Sequence, residues 1–306
     1  MKLAILSPVW PSYQWLAPCL QWTLDRFWAD HPPLFFCGMT QEEADRVGLP
    51  VLPWRGGENR TNWTALLRDG VEQLRALGYT HGYLIAEEHL PLAPCHTVHL
   101  NHTLPRFLES LPAVYISLMG WDNRRFPSKS PLLDRKHFRM QHLLAPRDPR
   151  FNLHPALWDL EVLSVCCDVA LEDDSKNGSA WHFEKANARR PARHLPHWVA
   201  QCYQICAAEM ALSPPLQGQK MRRNIERFFY LKLMALYPHI PHRRLADAYF
   251  RRMGFDNVYS DGPYPLFFSG VMAKGGYNPW FIKHLKKSPE GREILQCIDR
   301  AKKARG

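Results

Sequence analysis

Several familiar signatures are missing from these 306 residues. There is no GxGxxG, no GxxxxGKS/T, no HExxH and no GxSxG, which counts against dinucleotide-binding dehydrogenases, P-loop enzymes, zincins and α/β hydrolases of the usual kinds. The eight cysteines include no CxxC pair. Cys166 and Cys167 are adjacent, and Cys202 and Cys206 lie a helical turn apart. That is neither a disulfide framework nor a zinc site, so a reducing cytoplasm is the expected setting. No apolar run approaches the roughly 18 residues of a membrane span, and the opening MKLAILSPVW is too short for the apolar region of a signal peptide. The sequons at Asn62, Asn101 and Asn177 are then expected to be coincidental. Internal repeats and low-complexity tracts are also lacking.

What the chain does contain is enough apolar material for a full core: 46% of residues are hydrophobic, which suits one large α/β domain or a domain with a helical appendage. The eleven tryptophans supply packing surfaces or platforms for a polar, ring-shaped ligand. A formal charge of +10 favours anionic partners, among them nucleic acid, an acidic membrane face and a phosphorylated substrate. Much of the excess falls in the last third, in MRRNIERFFYLK, HRR, FRRMG, IKHLKK and AKKARG.

The apolar run from Lys2 to Leu6, ending in Ser7 and Pro8, predicts a central first strand, followed by a loop with Trp10 and Tyr13. A helix is expected over Leu16 to Trp28, a strand over Pro33 to Gly38, and a third over Val51 to Trp54. The next helix, about Trp63 to Leu77, has Thr61 or Asn62 as its cap. The run YLIAEEHLPL, Tyr83 to Leu92, reads as a buried strand that stops at the adjacent carboxylates Glu87 and Glu88. Ala113 to Leu118 and Phe138 to Leu144 read as further strands. Leu153 to Leu163 has the spacing of a helix, and helical patterns return at WHFEKANAR, His197 to Leu212 and Met221 to Leu236. Strands alternating with helices predict a mostly parallel sheet flanked by helices. The expected division is a catalytic domain over residues 1–195 and a helical, basic region over 196–306.

In such a sheet ligands bind where the strands end, which puts Glu87 and Glu88 at the mouth of a crevice. Two carboxylates there can seat a divalent cation bound to phosphate oxygens, or stand as a solvated pair. Ser7, Pro8 and Trp10 share that edge and are candidates for nucleotide contacts. Glu184, which follows the aromatic pair Trp181 and Phe183 flanking His182, is a candidate general base if packing among those rings desolvates it and raises its pKa, or a helix-terminal acid complementing the macrodipole. Trp121, Asn123, Asn152 and Trp158 are candidates for sugar or acceptor contacts, where an indole stacks on a ring. His96, His99 and His102 recur every third residue and offer an alternative zinc ridge.

The order of these features resembles bacterial glycosyltransferases of the GT-A type that act in cell-surface polysaccharide and lipopolysaccharide synthesis. The pieces that carry the resemblance are KLAILSP, NWTALLRDGVEQL, YLIAEEHLPL, FNLHPALWDLEVL, WHFE and GVMAKGG, spanning most of residues 1–280. The resemblance implies a GT-A-like fold and a nucleotide-sugar donor over the first half of the sheet. It places Glu87 and Glu88 at the family's Asp-x-Asp element and Glu184 at the catalytic carboxylate of inverting members. AEEH departs from the usual aspartates, which leaves both Mg²⁺ or Mn²⁺ dependence and metal independence open. The expected reaction moves a sugar to a hydroxyl of a glycan or lipid-linked acceptor in the cytoplasm; charge alone, through the basic C-terminal region, suggests peripheral contact with anionic lipid at the inner face of the inner membrane. The rivals are a basic nucleic-acid-binding protein, which has no matching motif and is not expected, and a metal-dependent hydrolase using the histidine ridge.

Overall fold

The computed structural model describes residues 1–57, 60–110, 113–118, 133–135, 138–142, 153–173, 178–189, 202–207, 263–266, 271–273, 276–277, 281–282, 285–286 and 288–304. The helix expected over Met221 to Leu236 lies outside them.

The chain opens as β1 (Leu3–Pro8), a 3₁₀ turn (Pro11–Leu16), α1 (Ala17–Phe27), β2 (Leu34–Cys37), α2 (Gln41–Val47), β3 (Val51–Leu52), α3 (Trp63–Ala76) and β4 (His81–Leu84). These βα units follow local signals. Thr40 and Glu43 form a reciprocal capping box at the start of α2, and the Asn62 side chain accepts the Ala65 N–H at the start of α3 (3.0 Å), each satisfying orphan donors of a first turn. Gly38 closes β2 with φ of +89°, and a Cβ there would stand 2.7 Å from the Val9 carbonyl oxygen, so the turn admits only glycine.

Next come α4 (Leu104–Ser110), preceded by a wide π-type turn at His99–Thr103, then β5 (Tyr115–Ser117), β6 (Leu133–Arg135), β7 (Phe138–His142), β8 (Ala156–Asp159), α5 (Leu160–Asp173), α6 (Ala180–Arg189) and β9 (Cys202–Ala207). A small hairpin, β10 (Met272–Ala273) with β11 (Gly276–Tyr277), and α7 (Pro289–Ala304) complete the described elements.

The sheet order is β3-β2-β1-β4-β8-β5, continuing through β9-β7-β6. β3, β2, β1 and β4 are parallel, whereas β8 runs antiparallel to both β4 and β5. The sheet is therefore mixed, a correction to the mostly parallel one expected. The cause lies in Leu153 to Leu163, where the expected helix is a strand over Ala156–Asp159 that passes directly into α5. A short apolar run has no periodicity to separate a buried strand from a helix. The helix expected over His197 to Leu212 is likewise corrected by β9, which joins the same sheet beside β5.

Two cores sandwich the sheet. On one face Ile5, Tyr83 and Ile85 meet α1, α4 and α7; on the other Leu6, Leu84 and Trp158 meet α3, α5 and α6. The described C-terminal residues Tyr264, Leu266, Phe281, Leu285, Ile294 and Ile298 are buried in the first of these cores with β1 and β4. No helix among the described residues is long and apolar enough to cross a membrane.

Candidate functional site

β4 is shorter than the apolar run suggested. It ends at Leu84, Ile85 adds one more bond to β1 through the Leu6 carbonyl (3.0 Å), and Glu87 and Glu88 occupy the turn that follows. Glu87 is 3% exposed, and its Oε1 accepts the Trp10 N–H at 3.2 Å. One carboxyl group thus joins the loops that leave β1 and β4, two adjacent strands of the parallel run. Burial and the neighbouring Glu88 push the Glu87 carboxyl up to about 8, against a smaller opposing effect of the Trp10 N–H. Glu88 is half-buried. The pKa of the Tyr13 hydroxyl, from the 3₁₀ turn, is raised by burial and by the charges of Glu88 and Glu87.

Ser7 and Pro8 belong to β1 itself and are buried. The Ser7 Oγ has no hydrogen-bond partner among the described residues. A buried hydroxyl without a partner is costly, and its position near the end of β1 puts that cost on the same edge as Glu87.

The acidic turn is clasped from the far end of the chain. Tyr264 Oη donates to the His89 carbonyl oxygen (2.7 Å), while the Leu92 N–H donates to Pro265 O (2.9 Å) and the Val271 N–H to Glu88 O (3.4 Å). The late GVMAKGG segment therefore touches the carboxylate turn through Val271.

β8 brings the second half of the site. Its antiparallel register pairs Leu84 with Ala156, so the residues just before Ala156 lie alongside those just after Leu84. His89 and His154 meet there, ring centroids 5.3 Å apart. Burial, and then His154, push the His89 imidazole down to about 3; burial pushes His154 down to about 4. Both rings are neutral near pH 7.

Glu184 lies on the second turn of α6, and its Oε1 accepts the Leu153 N–H (2.8 Å), one residue from His154. Burial raises its pKa against the opposing pull of that N–H. The start of α6 is fixed at the same edge of the sheet. The Gly178 carbonyl oxygen accepts the N–H groups of Trp63 (2.5 Å) and Thr64 (3.3 Å) at the beginning of α3, and a Cβ on Gly178 would collide with the Asn62 side chain.

Glu87, Glu88, Ser7, Pro8, Trp10 and Glu184 are thus gathered at one end of the sheet. Trp158 is elsewhere in character: it is fully buried, edge-on to Tyr115 (4.7 Å) and Phe183 (6.3 Å), so this ring is a core group with no open face for a sugar. Trp121, Asn123 and Asn152 lie outside the described residues. His96 and His99 make an edge contact at 6.3 Å, and no group of three His, Cys, Asp or Glu is placed to hold a metal among the described residues. The sequence pattern drew attention to that ridge and passed over His89 and His154, because nothing local links two histidines that only strand pairing brings together.

No protein-family model matches the chain, and a search of characterised proteins finds no significant match, so its chemistry is argued from the site alone.

Proposed function

We propose that the chain is a glycosyltransferase of the GT-A type, moving a sugar from a nucleotide-sugar donor to a hydroxyl of a glycan or lipid-linked acceptor with inversion. The observation that carries this reading is the placement, through the β4–β8 register, of a buried carboxyl tied to the first loop and a second, partly desolvated carboxylate on α6 at the same end of the sheet. The parallel run β3-β2-β1-β4 supports it, since folds with that strand order bind nucleotides outside the carboxyl ends of the strands near where the order reverses, beside β1 and β4. Ser7, Pro8 and Trp10 line the donor side in this reading.

The chemistry follows from the positions. Glu184 Oε1 is held by Leu153, and its other oxygen takes the proton from the acceptor hydroxyl. The hydroxyl oxygen bonds to the anomeric carbon as the bond to the diphosphate oxygen breaks, and the nucleoside diphosphate leaves with the electron pair. Its raised pKa makes Glu184 a stronger base than an exposed glutamate. Glu87 holds the Trp10 loop in place, and Glu88 is the more open of the two toward the leaving group. Among the described residues no third His, Cys, Asp or Glu joins the two carboxylates, so a divalent ion there would be one shared with substrate phosphates and water. An ion so shared by Glu87 and Glu88 would offset the charge of the diphosphate.

A thermal-shift panel of nucleoside diphosphates and nucleotide sugars, with and without Mn²⁺, tests the donor site. A ligand at a hundred times its Kd adds about 2.7 kcal/mol of stability. At least one nucleotide is expected to raise Tm, and Glu88→Gln to weaken the effect; a flat response across the panel would end the reading.

A further inference from the structure

We infer that the exposed indole of Trp181 is the platform on which the acceptor sugar stacks, presenting a hydroxyl to Glu184; this rests on the transferase reading above. α6 buries Phe183, Ala186 and Asn187, with Phe183 edge-on to Trp63 and Trp158 (6.3 Å each). Glu184 lies at the border of that buried stripe, and Trp181 precedes it by three residues, the spacing that makes side chains neighbours on a helix surface. Trp181 is 72% exposed, more than any other large apolar residue described. The other described tryptophans, Trp10, Trp15, Trp22, Trp28, Trp54, Trp63 and Trp158, are all buried or half-buried.

The surroundings decide what occupies this ring. Trp181 is flanked by exposed Ser179 and Lys185 and half-buried His182, with the Glu184 carboxylate one turn on. A protein face of stable size needs a contiguous apolar patch, which polar neighbours interrupt. A pyranose matches the mixture: its C–H face covers the indole and its hydroxyls meet the carboxylate and the other polar groups. The backbone that carries the ring is anchored: the carbonyl of Ser179 accepts the N–H groups of His182 (2.8 Å) and Phe183 (3.1 Å), and the lead-in through Gly178 is fastened to α3, so little backbone order is lost on binding.

The test uses the full chain labelled with ¹⁵N, following the Trp181 indole N–H signal, assigned by its loss in Trp181→Ala. The probes are methyl glycosides of glucose, galactose, mannose, rhamnose, N-acetylglucosamine and N-acetylgalactosamine, titrated without nucleotide. At least one is expected to shift the Trp181 signal. Read from the backbone amide signals, which the variants keep, Trp181→Ala should weaken that binding at least about tenfold, the scale of a lost aromatic stacking contact, and Trp181→Phe should restore most of it. The variants should keep the Tm and the nucleotide-induced shift of the parent chain. Saccharides that leave the Trp181 signal unmoved, or that bind Trp181→Ala equally well, overturn the platform even where a nucleotide binds. A saccharide response with no nucleotide response keeps the platform and removes the donor site, so the two failures are distinguishable.

Discussion

At the start of β4 polar groups find partners close to water. Lys2 Nζ donates to the Leu77 carbonyl oxygen (2.6 Å), His81 Nδ1 lies 3.0 Å from Thr80 Oγ1, and Asp159, at the adjacent end of β8, accepts the Glu161 and Val162 N–H groups (2.8 and 3.1 Å) to cap α5. Past the far end of the same strand, Glu87 is buried beside another carboxylate, His89 and His154 are held neutral, and Ser7 Oγ has no partner among the described residues. The strand is common to both ends, so its packing does not explain the difference. One end is built for stability, the other retains desolvated ionisable groups, which cluster where chemistry is done.

That contrast can be broken most decisively with Glu184→Gln. Loss of a general base is expected to slow transfer by about 10²–10⁴-fold while nucleotide-induced stabilisation persists; initial rates beside thermal shifts would show it, and unchanged rates would remove the base from α6. In the parent chain the transfer rate should fall as pH drops through a pKa above the ordinary glutamate value of about 4.3, because burial raises that of Glu184.

The second variant separates core from surface. Trp158→Ala should cost about 3–5 kcal/mol in urea unfolding, as expected for truncating a fully buried indole. Trp181→Ala should stay within about 0.5 kcal/mol of the parent chain. Similar losses for the two would place Trp181 in the core after all.

The third concerns pH. Between about pH 6.5 and His154's folded value of about 4, the unfolded chain takes up a proton that the folded chain refuses. At this residue the unfolded state then binds more protons, so its contribution to stability falls as pH drops through the window; His89 acts in the same sense and Glu87, raised to about 8, in the opposite one. Unfolding free energies at pH 7, 5.5 and 4.5, compared between the parent chain and His154→Gln, should show the variant losing less stability than the parent as pH drops. The smallest effect belongs to the opposite end of the strand. Asp159→Ala should cost about 1 kcal/mol for a lost helix cap and leave turnover unchanged.

The sequence alone determined those features that depend on neighbours along the chain. β1, β2, α1 and α3 appear within a residue or two of the expected bounds, Asn62 is the cap, and Glu87 and Glu88 follow a strand end. These are local signals of apolar spacing, capping and turn chemistry, legible because the interacting residues are close in sequence. Tertiary structure alone decided the direction of β8, the strand at β9, the burial of Trp158, and the difference between Glu87 and its neighbour Glu88. It also decided that His89 meets His154, that Tyr264 and Val271 close over the acidic turn, and that Glu184 reaches Leu153. Pairing between distant segments sets each of these, and an antiparallel register can carry a residue to the far end of the sheet without leaving a mark in the local pattern.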